Sequence, residues 1–183
     1  MIDVTKAAEI PGYMSHRELE WLATLASQSQ VVVEVGTFQG RSTRALGDHC
    51  PGTVYTIDSW RETYEGEDGR PLTGWNPASV RAASRMHLAD LVASGKVIEI
   101  EAASLDVALE RIPKADLIFL DGDHRFVTLA QELDRYGAHT TRGGILAGHD
   151  FGHPDWPGVE RAVRAAFPRV WLLETIWWTV PRI

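Results

Sequence analysis

The chain contains one cysteine, Cys50, among 183 residues. That excludes an intrachain disulfide framework and any zinc site built from clustered cysteines. Positive charge is also scarce: 18 Lys and Arg stand against 25 Asp and Glu, for a net charge of −7. No basic stripe interrupts the mixed charge, so a nucleic-acid backbone is not an expected partner. No apolar run reaches the roughly 18 residues that a membrane span needs. The N-terminus lacks a basic segment followed by an apolar core, so the expectation is a cytoplasmic protein with no membrane partner. Repeats and low-complexity stretches are missing too. What is present is ordinary: 44% of residues are apolar, as in a soluble globular protein. The length suits one domain over residues 1–183 with a sizeable core.

The most informative stretch is Val31-Val32-Val33-Glu34-Val35-Gly36-Thr37-Phe38-Gln39-Gly40-Arg41-Ser42. A β-branched apolar run ends in an acid and a glycine, and a second glycine and a hydroxyl side chain open a helical pattern. This reads as a buried parallel strand, a tight turn and a helix start. Gly36 can adopt backbone angles closed to other residues and lets a ligand approach the main chain. The amides opening the next helix favour a carboxylate or phosphate there. The dinucleotide fingerprint G-x-G-x-x-G is not met, because position 38 is Phe and the glycines stand at 36 and 40. A phosphate-binding P-loop is not met either, since no Gly-Lys-Ser/Thr follows.

Along the chain, Ser15-His16-Arg17-Glu18 has the form of a capping box before a helix with Leu19, Leu22 and Leu25 on one face. Strands are expected at Val31–Val35, Thr53–Ile57, Val97–Glu101, Asp116–Leu120 and Gly144–Ala147. Helices are expected between them, at about Pro77–Ser94, from Ser104 to near Ile112, at Phe126–Ala138 and at Val159–Phe167. Val170–Glu174 and Ile176–Val180 read as a closing hairpin. Residues 59–76 read as a long polar loop on the acceptor side, with Trp60, Tyr64 and Trp75 available for stacking. Strands alternating with helices imply an α/β, Rossmann-like, doubly wound sheet of seven strands, mostly parallel, with an antiparallel C-terminal hairpin strand.

Ligands of such sheets bind at the carboxyl ends of the strands, and every expected strand here ends in reactive or polar residues. Asp58, with Ser59 beside it, lies about 20 residues past the glycine turn, where a carboxylate can accept two ribose hydroxyls. Ala103 and Ser104 sit where an adenine meets a hydroxyl and backbone amides; Ser104 also reads as a helix N-cap. Asp121 ends the fourth strand, with His124 three residues on, and His149-Asp150 end the fifth. Carboxylates on adjacent strand ends suit Mg²⁺, and a histidine among them also admits Mn²⁺, Fe²⁺ or Zn²⁺. A metal-free cluster in which Asp150 orients His149 is the alternative. Either His124 or His149 could take a proton from a hydroxyl. His153, Asp155 and Trp156 follow the cluster as candidate acceptor contacts. Trp171, Trp177 and Trp178 are expected to serve core or subunit packing, and the apolar tail is compatible with a homodimer.

Together these residues resemble the class I S-adenosylmethionine (SAM) methyltransferases. Within that class they resemble the cation-dependent O-methyltransferases of the catechol type and the small bacterial enzymes that methylate sugars or antibiotics. The resemblance runs from Val31 to Asp150. It implies that Glu34, Gly36, Thr37, Gly40 and Ser42 lie along the methionine part of SAM, and that Asp58 and Ser59 bind the ribose. Ala103 and Ser104 would flank the adenine, Asp121 would border cofactor and metal, and a small-molecule hydroxyl would be the acceptor. His124 falls where the catechol enzymes place a catalytic lysine. Where those enzymes carry Asp-Asn, or their relatives two acids, this chain has His149-Asp150. The metal set implied is Asp121, His149 and Asp150, holding Mg²⁺ first and Mn²⁺ second, with His149 open as ligand, as general base or as neither. The rival readings are a metal-independent O- or N-methyltransferase using His124 or His149, a nicotinamide-dependent oxidoreductase, and a non-catalytic SAM-binding module.

Overall fold

A computed structural model of the chain describes residues 2–61 and 76–181. Most of the expected acceptor-side loop, with Tyr64 and Trp75, lies outside the described residues. The sheet is built around β1 (Val31–Val35), whose valine run is flanked on both edges: it pairs in parallel with β2 (Thr53–Asp58) and with β4 (Ala115–Leu120). Outside β2 lies β3 (Val97–Glu101), and outside β4 lies β5 (Thr140–Gly148), both parallel. The hairpin of β6 (Trp171–Leu173) and β7 (Ile176–Thr179) closes the sheet antiparallel to β5. The order is β3-β2-β1-β4-β5-β7-β6, seven strands. Strand order therefore reverses between β1 and β4, and a crevice opens beyond their carboxyl ends.

Side chains alternate across these strands into two cores. Val32, Leu117 and Phe119 point to one face, which is covered by α1 (Thr5–Glu9), α2 (His16–Ala26) and α3 (Arg41–His49). Val33, Ile118 and Leu120 point to the other, covered by α6 (Phe126–Gly137) and α7 (Pro157–Ala166). A strand buried on both faces needs no polar alternation, which is why β1 and β4 read as continuous apolar runs. Trp177 is fully buried in the second core, whereas Trp178 lies 4.9 Å from Trp21 and Trp171 is half exposed. Among the described residues no helix is long and apolar enough to cross a membrane.

Three elements depart from the sequence reading. The helix expected over Pro77–Ser94 is two, α4 (Pro77–His87) and α5 (Ala89–Ala93), meeting at the fully buried Leu88. At this break the carbonyl of His87 accepts a hydrogen bond from Arg44 Nη1 (3.3 Å), a contact between distant segments. The helix expected from Ser104 is replaced by two short 3₁₀ turns, Ser104–Asp106 and Leu109–Arg111. Arg135 of α6 donates to the carbonyls of Leu105 (2.6 Å) and Val107, acceptors an α-helix would have used. Ser104 does not cap a helix; its hydroxyl donates to Glu132. Finally, β5 starts at Thr140 rather than Gly144, with a register irregularity opposite Ala115–Leu117 and Gly143 at φ +84°.

Candidate active site

A cleft of about 970 Å³ lies beyond the carboxyl ends of β1, β2, β3, β4 and β5. Its floor starts at the glycine turn. Gly36 has φ +96°, and a Cβ there would stand 2.0 Å from the carbonyl oxygen of Asp121. The close approach of the β1 and β4 ends thus requires glycine, apart from any ligand. Thr37 and Ser42 line the cleft next to it.

Two residues expected to touch the cofactor lie outside the cleft lining. Glu34 is fully buried beneath it, with Oε2 accepting from Thr43 Oγ1 (2.5 Å) and Thr56 Oγ1 (2.6 Å). Thr56 Oγ1 lies 2.6 Å from the hydroxyl of Thr37, so a hydroxyl chain joins Glu34 to the cleft floor. Burial raises the Glu34 carboxyl to about 7, against the opposing hydrogen bonds from neighbouring hydroxyls. Gly40 begins α3 in the left-handed region, at φ +92°, and its missing side chain faces Leu88, 3.0 Å from a would-be Cβ. Leu88, at the break between α4 and α5, packs against this position.

Asp58 and Ser59 line the cleft at the end of β2. Both oxygens of Asp58 are engaged: Oδ2 accepts from the Phe38 amide (2.9 Å) and Oδ1 from the Trp60 amide (2.8 Å). Phe38 and Trp60 have φ of +49° and +40°, so one carboxylate organises two strained loop positions. Burial pushes the Asp58 carboxyl up, while the amides oppose it. The carboxylate lines the cleft, where it can accept from a ribose hydroxyl. Trp60 itself is buried, with the Arg81 guanidinium 5.4 Å from its ring centre, and it does not line the cleft as an acceptor contact. Ala103 and Ser104 form the wall after β3, and Glu132 stands behind Ser104. Burial pushes the Glu132 carboxyl up to about 7.

Across the sheet, the ends of β4 and β5 bring Asp121, His124 and Asp150 together, with one potential ligand atom from each lying within 4.8 Å of the others. His124 Nε2 is 2.8 Å from Asp150 Oδ2 and 3.7 Å from Asp121 Oδ1. Yet this buried nitrogen makes no hydrogen bond of acceptable geometry. An imidazole nitrogen facing two carboxylates without a hydrogen bond fits a shared divalent cation. Burial alone would lower the His124 pKa, but the two carboxylates outweigh it and hold it near 9. Trp156 stacks on the His124 ring at 4.6 Å.

His149, expected as a ligand, commits Nε2 to Thr175 and keeps Nδ1 toward the two acids. Its Nε2 lies 2.8 Å from Thr175 Oγ1 and 3.4 Å from Glu18 Oε1, while Nδ1 faces Asp150 Oδ1 (3.4 Å) and Asp121 Oδ1 (3.7 Å). His124 is the imidazole that, with Asp121 and Asp150, places one ligand atom of each residue within 4.8 Å of the others. Burial would lower His149, but the Asp121 charge and contacts to Asp150 and Glu18 outweigh it and raise it to about 11. Asp150, between two imidazoles, is held well below the ordinary carboxylate range despite burial. Glu18, despite partial burial, is lowered to about 2 by His149, Ser15 and Thr175.

Glu18 and Thr175 were missed as site residues. The capping box accounted for Glu18, and it does form: Ser15 Oγ accepts from the Glu18 amide (3.2 Å) and Glu18 Oε2 accepts from the Ser15 amide (2.8 Å). Nothing in the sequence signalled that the remaining oxygen reaches the β6–β7 turn. His153, Asp155 and Trp156 line the cleft as expected.

No curated protein matches the sequence. Among solved structures, the chain is similar to the O-methyltransferase TomG of Streptomyces achromogenes, solved with SAM. The identity is 18%, the TM-score 0.68, and 99% of this chain and 87% of that one are covered. It is similar to the Bacillus cereus O-methyltransferase in complex with SAH, at 19% identity and TM-score 0.66 over 95% and 86% of the two chains. It is also similar to precorrin 8w decarboxylase from Methanobacterium thermoautotrophicum, at 18% identity and TM-score 0.64 over 94% of each chain. Such low identities establish a shared fold. The family described as "Methyltransferase domain" matches residues 33–151, from within β1 through the β5-end cluster, and the chain belongs to that family.

Proposed function

We propose that the protein transfers a methyl group from SAM to a hydroxyl of a small molecule, with a divalent cation held by Asp121, His124 and Asp150. One observation carries this reading: a single cleft runs from Thr37, Asp58 and Ser104 to the Asp121–His124–Asp150 cluster. A nucleoside-sized donor along the first half would present its methyl group to the second. The SAM- and SAH-bound O-methyltransferases that share the fold support the choice of donor.

The cation, when bound, lowers the pKa of the acceptor hydroxyl. The chain's own residues supply alignment and proton handling. The glycine turn and the amides opening α3 would meet the donor's carboxylate end, and Asp58 would accept from the ribose. The methyl carbon leaves the sulfonium, the C–S electron pair stays on sulfur, and a C–O bond forms to the acceptor. The hydroxyl proton goes to Nδ1 of His149, since Nε2 is committed to Thr175. A cation held by Asp121 and Asp150 would offset the two carboxylate charges that otherwise favour a proton on that nitrogen. At the mouth, Trp156 sets an aromatic face beside the polar His153 and Asp155, a combination that suits a sugar ring or a hydroxylated natural product.

The test is methyl transfer from labelled SAM to a panel including catechol and methyl α-D-glucoside, with and without EDTA, then with Mg²⁺ or Mn²⁺ restored. Loss in EDTA with recovery on restoration is expected, as is loss in Asp121→Asn. Unchanged turnover in both removes the cation and leaves the metal-independent reading. Calorimetry that finds NAD bound in preference to S-adenosylhomocysteine removes the methyl donor.

A further inference from the structure

We propose that Glu18 and Thr175 are positioning residues that set the orientation and tautomer of His149. This rests on the reading of His149 as proton acceptor given above. Three segments distant in sequence meet here: the start of α2, the β6–β7 turn and the end of β5.

The hydrogen bonds can be assigned in order. Glu18 Oε2 is occupied by the Ser15 amide at 2.8 Å. Glu18 Oε1 accepts both the Thr175 amide (3.1 Å) and the Thr175 hydroxyl (2.7 Å). The carboxylate has no proton to give, so Thr175 is the donor in the last of these. Its hydroxyl has only one proton, and that proton is spent on Glu18. Toward His149 Nε2, 2.8 Å away, Thr175 can only accept. His149 therefore carries a proton on Nε2, and Nδ1 is the nitrogen that faces Asp121 and Asp150.

The turn carrying Thr175 is itself held. Ser15 Oγ donates to Glu174 Oε2 at 2.5 Å, and Glu174 takes a left-handed φ of +53°. The Phe151 amide donates to the Thr175 carbonyl at 2.9 Å. A base oriented by a hydrogen-bonded third group is the recurring arrangement of activated sites, and here a hydroxyl is interposed between carboxylate and imidazole. A positioned general base contributes about a hundredfold or more, so loosening the group that orients it is expected to cost a measurable part of that.

Thr175→Val deletes the hydroxyl while keeping the shape and the amide bond to Glu18; Thr175→Ser restores the hydroxyl. Each full-length variant is compared with the wild type by three measurements. The first is long-range ¹H–¹⁵N NMR of the histidine rings; the second is calorimetry with S-adenosylhomocysteine; the third is kcat and KM with whichever of catechol or methyl α-D-glucoside is turned over. In the wild type and Thr175→Ser, His149 is expected to show a protected Nε2–H proton. Thr175→Val is expected to lose that protection, and its kcat to fall about tenfold or more with SAM KM and S-adenosylhomocysteine affinity unchanged. Glu18→Gln provides a second variant should Thr175→Val prevent folding, with the same losses expected. The proposal is overturned if Thr175→Val keeps the protected Nε2–H and full kcat. It is equally overturned if kcat and S-adenosylhomocysteine affinity fall together and Thr175→Ser does not restore them. Failure of the methyl-transfer reading shows separately, as no turnover in the wild type, and the NMR comparison then still decides the orientation of His149.

Discussion

The carbonyl oxygen of Asp121 occupies the space that a side chain on Gly36 would need, 2.0 Å from an ideal Cβ. The Asp121 amide in turn donates to the Val35 carbonyl at 2.8 Å, and the Gly36 amide to the Ile57 carbonyl at 2.8 Å. The glycine turn therefore locks the donor half of the cleft to the metal-candidate half. Gly36→Ala must displace backbone, and it also places a side chain at φ +96°. We expect urea unfolding to show a loss of at least about 2 kcal/mol and calorimetry to show S-adenosylhomocysteine binding weakened by more than about tenfold. Gly40→Ala shares the left-handed strain, at φ +92°, but meets the flexible Leu88 side chain, at 3.0 Å, instead of backbone, and should cost only about 1–2 kcal/mol. Equal losses for the two variants would contradict this assignment.

The cluster makes a separable prediction about ligands. Asp121, His124 and Asp150 converge, whereas His149 Nε2 is committed to Thr175. In Mn²⁺ calorimetry, Asp121→Asn and His124→Ala should each weaken binding by about tenfold or more, a loss of at least about 1.4 kcal/mol. His149→Ala should stay within about threefold of the wild type. A larger effect at His149 than at His124 would restore the ligand set suggested by the sequence.

How much of this was legible beforehand depended on where the information lay. Strands such as β1 and β4 announce themselves because burial on both faces demands uninterrupted apolar residues. Strand ends also announce themselves, since Asp58, Asp121 and Asp150 interrupt apolar runs at the one edge where ligands bind. The closing hairpin followed from two apolar runs separated by Glu174-Thr175. What stayed hidden was set by distant partners. Arg135 reaches two carbonyls of the segment after β3 and turns a helical pattern into 3₁₀ turns. Arg44 meets the His87 carbonyl where one helix becomes two. The exchange of His124 for His149 belongs to the same class. Both lie at strand ends beside the same two carboxylates, and no local signal says which imidazole converges with them. Glu18 was hidden by having a sufficient local explanation in its capping box.

Asp58 carries two loads, and removing it should reveal both. Asp58→Ala leaves the amides of Phe38 and Trp60 without acceptors, at about 1–3 kcal/mol each where they stay buried. Both residues hold positive φ, so the loops should relax once untied. We expect a lower melting temperature together with S-adenosylhomocysteine binding reduced by more than about tenfold. Asp58→Asn keeps one carbonyl acceptor, so its thermal stability should fall between that of the wild type and Ala. A variant that melts normally but fails to bind would assign Asp58 to the ligand alone.

Glu34 should make stability depend on pH in a direction opposite to that of an ordinary salt-bridged acid. Its carboxyl is raised by burial from 4.5 to about 7, and that of Glu132 is likewise raised to about 7. Between those values the folded chain holds protons that the unfolded chain has released, so this contribution falls as pH rises from about 4.5 to about 7 and stays lower above it. His124 and His149, both raised from 6.5, extend the fall above that value in the wild type and in Glu34→Gln alike. Glu18, lowered to about 2, contributes in the opposite sense only below its unfolded value and is flat in this window. Each tenfold difference in proton affinity between the folded and unfolded chain is worth roughly 1.4 kcal/mol, so Glu34 alone accounts for up to about 3 kcal/mol. In Glu34→Gln the amide carbonyl can still accept from Thr43 and Thr56, and there is no proton to lose. Thermal melts in EDTA from about pH 5 to about pH 8 should show a marked fall for the wild type and a flatter profile for Glu34→Gln. The variant should match or exceed the wild type at the alkaline end. Parallel profiles for the two proteins would show that Glu34 is ionised throughout and that its hydroxyl partners fully offset its burial.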